Sequence, residues 1–336
     1  MNDVSNPSIY VCAPARTCLT GENLDVVDAA HIDAAEDALR ALGWRVTEAA
    51  NARDLQKGFA GGDAARAAGL EAGFADPSID LVMALRGGYG TARILPLLNW
   101  DAIGKSQAVF AGLSDLTAFG LALYAKCGRA SWQGPVAHSF ARGNAVFVER
   151  FMRAMREPHF SFSSPAVSFL PSSAKARADG VFEAQGTIWG GNLTILTSLL
   201  GTPWMPEIEG GILVVEDVHV TAWRFERMLV QLAQAGILGR QKALVVGDVT
   251  GHEAGLKGEN SGITLNDSLA YAANLANIPV FAGLPFGHRP DTMTLPVGCP
   301  GRLVYEGETL ALAADAPPVP AECPGASAAR SPLWWT

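Results

Sequence analysis

The segment from Leu81 to Tyr124 reads LVMALRGGYGTARILPLLNWDAIGKSQAVFAGLSDLTAFGLALY, and its reading decides the fold. It contains two strand-to-helix turns in tandem. The apolar run Leu81 to Leu85 breaks into Arg86-Gly87-Gly88-Tyr89-Gly90. The run Ala108 to Gly112 breaks into Leu113-Ser114-Asp115 and leads straight into a helical pattern. A small polar residue at the tip of such a turn is where an α/β sheet presents reactive groups. Ser114 is therefore the nucleophile candidate, and the glycine-rich turn is the natural source of a backbone N–H donor.

The same alternation extends in both directions. Upstream, Ser8 to Ala13 reads as a strand, Val26 to Leu42 as a helix closed by Gly43, Trp44 to Ala49 as a strand and Asp63 to Ala75 as an alanine-rich helix. Strand, helix and strand in turn build a right-handed parallel sheet whose ligands bind beyond the carboxyl ends of its strands. The expected class is α/β: a doubly wound, Rossmann-like or flavodoxin-like N-terminal domain over 1–145, then a C-terminal α/β domain. Residues 146–180, with Pro158, Pro165 and serine-rich pieces, read as an irregular crossover. The second domain, 181–314, places Gly190-Gly191-Asn192 in a turn before a helix at Leu193 to Leu200. It continues with the strand GILVVEDV (Gly211 to Val218), an amphipathic helix at Phe225 to Leu238, and strands at Ala243 to Val249 and Ile278 to Leu284. Arg302 to Ala313 reads as a closing hairpin, and 315–336 as an extended tail.

Composition narrows the class. The chain is 49% hydrophobic and 17% charged over 336 residues, which suits a large folded core rather than a disordered chain. A net charge of −8 argues against nucleic acid and anionic membranes as partners. Five scattered cysteines without a CxxC pair suggest buried free thiols. No basic leader precedes an apolar stretch, and no apolar run approaches the roughly 20 residues of a membrane helix, so a cytoplasmic protein is expected.

A serine nucleophile needs a base, and the base an orienting acid. His288 follows a buried run in a glycine-flanked turn, and Glu216 and Asp217 end the strand GILVVEDV; either carboxylate could serve. The bland alternatives are an N-cap role for Ser114, a structural histidine and a solvated pair of acids. RGGYG lacks dinucleotide spacing, no GK[ST] follows it, and no HExxH or paired-histidine spacing suggests a metal; neither cofactor nor metal is expected.

At these residues the chain resembles the LD-carboxypeptidases, a serine-peptidase family that includes the microcin C immunity proteins. The resemblance rests on ALRGGYGTARILPLLNW, GLSDLTA, GTIWGGNLTILTSLLGTPWMP, GILVVEDV, RFERMLVQLAQAGIL and LPFGHRPDTMTLPVG, in order between about Asp80 and Gly298. It implies a Ser114–Glu216–His288 triad and an oxyanion hole from the N–H groups of Gly88 and Asp115. It also implies hydrolysis of the amide between diaminopimelate or lysine and a terminal D-alanine in muropeptides, a cytoplasmic location, peptidoglycan recycling and a homodimer. Arg86, Gly87, Tyr89, Gly191 and Asn192 are the candidates for holding substrate, with Arg86 or the Gly190 to Asn192 turn facing its carboxylate. Two departures stand out: Ala-Gly-Leu precedes the serine, and Ala-Pro-Ala-Arg (Ala13 to Arg16) replaces the usual Ala-Pro-Ser-Gly. The short segment from Ala145 to Gly186 favours a carboxypeptidase over an immunity amidase that cleaves a peptidyl nucleotide. A non-catalytic muropeptide binder is the third alternative.

Overall fold

A computed structural model describes residues 7–171, 181–253 and 262–317. The first sheet has six strands in the order Leu295–Val297, Ser131–Gln133, Val109–Gly112, Leu81–Ala84, Ser8–Cys12 and Arg45–Glu48. All neighbours run parallel except Leu295–Val297, which lies antiparallel on Ser131–Gln133. Counted along the chain, the parallel strands follow the flavodoxin-like order 2-1-3-4-5, so the topological switch falls between Ser8–Cys12 and Leu81–Ala84. The strands on both sides of that switch, and Val109–Gly112 beyond, are buried along their whole length, as continuous apolar runs require. The alanine-rich helix occupies Asp63–Ala75 as expected. Its Gly73 lets it pack closely on the sheet, because a Cβ there would stand 2.5 Å from Tyr10 Cδ1.

The second sheet has eight strands: His159–Pro165, Thr309–Asp315, Cys299–Glu306, Phe182–Asn192, Ile212–Asp217, Ala243–Val249, Val280–Ala282 and Val167–Phe169. Its two end strands are separated in sequence only by Ala166. Laid flat, eight strands would hold their edges roughly 34 Å apart at the usual spacing, so the sheet curls until its ends meet. The strands Phe182–Asn192 to Val280–Ala282 form its parallel part. Among the described residues no helix is long and apolar enough to cross a membrane. Cys12, Cys18 and Cys299 are buried free thiols and Cys127 is half-buried; Cys323 and the tail from 318 onward lie outside the described residues.

Three expectations about local structure are corrected. The first helix begins at Ala29, not Val26, because Asp28 accepts the His31 N–H at 3.0 Å as its cap. Val26–Val27 pairs instead with Leu19–Thr20 in a small ladder. The stretch expected to be irregular holds the helix Ala145–Arg156 and both end strands of the second sheet. Its helix keeps Phe147, Phe151, Met152 and Met155 on a narrow buried stripe amid charges, which conceals it in a composition scan. Finally, Gly190 to Asn192 are not a turn but the end of the strand Phe182–Asn192. Gly190 and Gly191 adopt φ +127° and +133°, and a Cβ on Gly190 would lie 2.0 Å from the Val214 carbonyl oxygen.

Candidate active site

Ser114 follows the strand Val109–Gly112 with φ +66°, a left-handed backbone rare for a residue with a Cβ. Such a strained serine between strand and helix is the geometry that exposes a nucleophilic hydroxyl. The glycine-rich turn is built against it. A Cβ on Gly87 would come 3.0 Å from Ser114 Cβ and 3.4 Å from its Oγ, so the closeness of the two turns requires glycine at 87. Asp115 locks them together: its Oδ2 accepts the Thr91 N–H at 2.8 Å, which anchors the helix leaving RGGYG to the residue after the serine. Burial raises the Asp115 pKa despite that hydrogen bond. Tyr89 is 55% exposed, its ring 5.8 Å from that of Phe59.

Glu216 and His288 meet at the end of the second sheet. Glu216 is fully buried, and its Oε2 lies 2.7 Å from His288 Nδ1. Burial alone would depress the imidazole, but the Glu216 hydrogen bond and the charges of Glu216, Asp217 and Asp248 outweigh it and raise its pKa. Gly287 is what permits the approach. It adopts φ +126°, and a Cβ there would stand 2.8 Å from Glu216 Cβ and 2.9 Å from Oε2. The turn is further pinned by Gly287 N–H donating to Thr292 Oγ1 at 3.0 Å and Met293 N–H to the Pro285 carbonyl at 2.9 Å.

Geometry separates the two acids that spacing alone left equivalent, and it favours the one the resemblance implies. Asp217 is spent locally, accepting from Asn192 Nδ2, from the N–H and hydroxyl of Thr194, and from the Val218 N–H. Only Glu216 reaches the histidine. The pairing register supplies a reason: between Val215 and Asp217 the neighbouring strand advances from Val246 to Val249, a bulge that re-aims side chains at the strand end. Asn192 joins the two acids, its Nδ2 donating to Glu216 Oε1 at 3.0 Å and to Asp217 Oδ1 at 3.1 Å. Its Oδ1 accepts the Ile195 N–H, and its own N–H donates to Thr117 Oγ1 at 3.0 Å. Thr117 lies three residues after Ser114, so one line of contacts runs from the serine turn through Thr117, Asn192 and Glu216 to His288. Sequence reasoning missed Thr117, Gly287 and the tether from Asp115 to Thr91, because each depends on a neighbour distant in the chain.

Behind Arg86, the ligand atoms of Cys18, His31 and His138 lie within 4.8 Å of one another, as a metal site would have them. The electrostatics oppose a cation there. His138 is pushed down to about 4 by burial and then by the Arg86 charge, so a cation would meet a neighbouring positive charge there. Burial pushes the Cys18 thiol up to about 11, which further disfavours the thiolate a metal needs.

The comparisons with known proteins agree with this architecture. Residues 9–134 match the LD-carboxypeptidase N-terminal domain and residues 185–303 the LD-carboxypeptidase C-terminal domain. A carboxypeptidase-family protein of Streptomyces coelicolor is 31% identical over 296 residues, covering 88% of this chain and 86% of its own. The Escherichia coli microcin C7 self-immunity protein MccF is 25% identical over 264 residues, 70% of this chain and 74% of its own. The crystal structure of muramoyltetrapeptide carboxypeptidase from Oxalobacter formigenes superposes with a TM-score of 0.79 at 36% identity, over 93% of this chain and 99% of that one. With two domain matches in order and a shared fold over nearly its whole described length, the chain belongs to the LD-carboxypeptidase family.

Proposed function

We propose that this protein is a serine LD-carboxypeptidase that releases terminal D-alanine from muropeptide tetrapeptides by attack of Ser114 on the amide carbonyl after the diaminopimelate or lysine residue. The observation that carries the reading is the buried Glu216 carboxylate 2.7 Å from His288 Nδ1, in a family of carboxypeptidases. That bond leaves Nε2 as the free ring nitrogen, the tautomer in which imidazole can accept the serine proton. As the Ser114 Oγ–carbonyl bond forms, His288 takes the hydroxyl proton and Glu216 stabilises the imidazolium. The developing oxyanion falls to the N–H groups of Gly88, in the glycine-rich turn, and Asp115, at the start of a helical turn whose first N–H groups lack intrahelical partners. His288 then gives its proton to the departing amine, the C–N bond breaks and free D-alanine leaves. Water, deprotonated by the same histidine, cleaves the acyl-serine ester and restores the hydroxyl. Asn192 acts as a positioning residue, since its side-chain amide and backbone N–H are all engaged by the protein.

A cytoplasmic location, a role in peptidoglycan recycling and a homodimer form part of the same proposal. The test is D-alanine release from L-Ala-γ-D-Glu-meso-diaminopimelyl-D-Ala by the wild type and Ser114→Ala. Release by the wild type that falls at least ~10⁴-fold in a folded Ser114→Ala protein is expected, as for other serine triads. Wild-type-like release by the variant would sink the assignment. No release by either would move it to an amidase acting on a peptidyl nucleotide.

A further inference from the structure

The loops leaving Ser8–Cys12 and Leu81–Ala84 part company at the switch point, where open α/β sheets bind their ligands. Cys12 and Ala84 are register partners, and Leu85 N–H donates to the Cys12 carbonyl at 2.7 Å, so the two loops start level. Each carries an arginine: Arg16 four residues beyond its strand, Arg86 two beyond. The Arg16 stem lies directly on Gly88, where a Cβ would stand 2.8 Å from Arg16 Cδ and 3.1 Å from Cγ. Gly87 in turn lies against Ser114. Arg16, Gly88, Gly87 and Ser114 therefore form one continuous row.

Neither arginine pairs with a carboxylate among the described residues. At least nine of the described arginines pair with a carboxylate. Arg16 and Arg86, both half-buried, pair with none of the described residues, and the Arg16 Nε is buried with no hydrogen-bond partner. In a chain carrying 33 acidic against 25 basic residues, two guanidinium groups with no carboxylate partner among the described residues stand on the two neighbouring loops of the switch point. A cation withdrawn from water without a partner is costly, and an anionic ligand removes that cost. The competing candidate, Asn192, adjoins Glu216 and Asp217, whose charges repel a carboxylate.

We infer that Arg16, with Arg86, forms a two-armed clamp for the free carboxylate of the leaving amino acid, and so holds the enzyme to the chain terminus. Arg16 stands where the motif it resembles carries glycine, so this arm belongs to the present chain. A guanidinium offers parallel N–H donors matched to a carboxylate, which a backbone amide or a lysine supplies less well. The clamp rests on the proposed carboxypeptidase reading, and its test separates the two.

The experiment compares the tetrapeptide acid with its C-terminal D-alaninamide in the wild type, Arg16→Ala and Arg16→Lys. A charge-assisted hydrogen bond contributes about 1.5–3 kcal/mol, so Arg16→Ala should raise KM for the acid about 10- to 150-fold with kcat little changed. The amide should be hydrolysed at nearly the same rate by both proteins, and Arg16→Lys should recover part of the loss. An unchanged acid-to-amide preference in a folded Arg16→Ala protein overturns the clamp and leaves the peptidase reading standing. Calorimetry with N-acetyl-D-alanine and its amide supplies the second arm. Arg16-dependent binding of the acid alone, with no peptide turnover by the wild type, would keep the clamp and overturn the peptidase reading.

Discussion

Replacement of Gly287 by alanine tests whether the contact between Glu216 and His288 drives activity. The new Cβ would sit 2.8 Å from Glu216 Cβ and 2.9 Å from Oε2, where ordinary contacts begin at 3.4 Å. Relief requires the two segments to separate by about 0.6 Å, and a shift of that size stretches the 2.7 Å Glu216–His288 bond past the 2.7–2.9 Å of a strong charge-assisted contact. Misplacement of a reacting constellation by about 1 Å costs on the order of 10²-fold in rate, so kcat/KM should fall about 10- to 100-fold. Backbone strain also contributes, because φ +126° is rarely open to an L-residue and costs about 1–3 kcal/mol of stability. Gly236→Ala is the matched control: its φ is +72° and a Cβ there meets nothing within 4 Å. Urea unfolding should show both variants destabilised, while D-alanine release should fall only in Gly287→Ala. Wild-type kcat/KM in Gly287→Ala, or an equal loss in both variants, would refute the argument.

Three further outcomes are expected. The general base must be neutral to act, and His288 is raised above its ordinary value, so the acid limb of the pH–rate profile should lie above about 6.5. In Glu216→Gln the lowering by burial remains while the largest raising contributions go; the limb should move to lower pH as kcat drops, and a stationary limb would exclude His288 as the titrating group. Asn192→Ala removes the amide between two buried acids and should cost about 1–3 kcal/mol in urea unfolding together with a loss of kcat; unchanged stability would show that the bridge is dispensable. Dialysis against a chelator should leave D-alanine release intact, because the proposed mechanism assigns the proton and charge work to His288 and backbone N–H groups; a loss restored by zinc would point to the Cys18–His31–His138 cluster instead.

The legibility of the chain followed burial. Leu81–Ala84, Val109–Gly112 and the first four residues of Ala243–Val249 could be read directly because strands covered on both faces must be continuously apolar. His159–Pro165 could not, since an end strand alternates exposed and covered positions and HFSFSSP sets only two phenylalanines among histidine, serines and a proline. Gly190 and Gly191 were read by the usual association of glycine with turns, yet they continue a strand where the neighbouring backbone leaves no room for a Cβ.

The same division applies to the site. Local pattern alone determined the α/β class, the two tandem turns and the positions of Ser114, Glu216 and His288 at strand ends, because strands and turns are dictated by periodicity and by glycine over a few residues. Spacing left Glu216 and Asp217 equivalent and the family motif singled out Glu216; the tertiary structure supplied its contact with His288, and only it decided that Asn192 bridges both acids and that Arg16 lies on Gly88. Those outcomes depend on which side chains converge from segments 24, 72 and 75 residues apart. Chain spacing carries no record of such distances; they are set when two sheets pack and each buried polar group takes the partner within its reach.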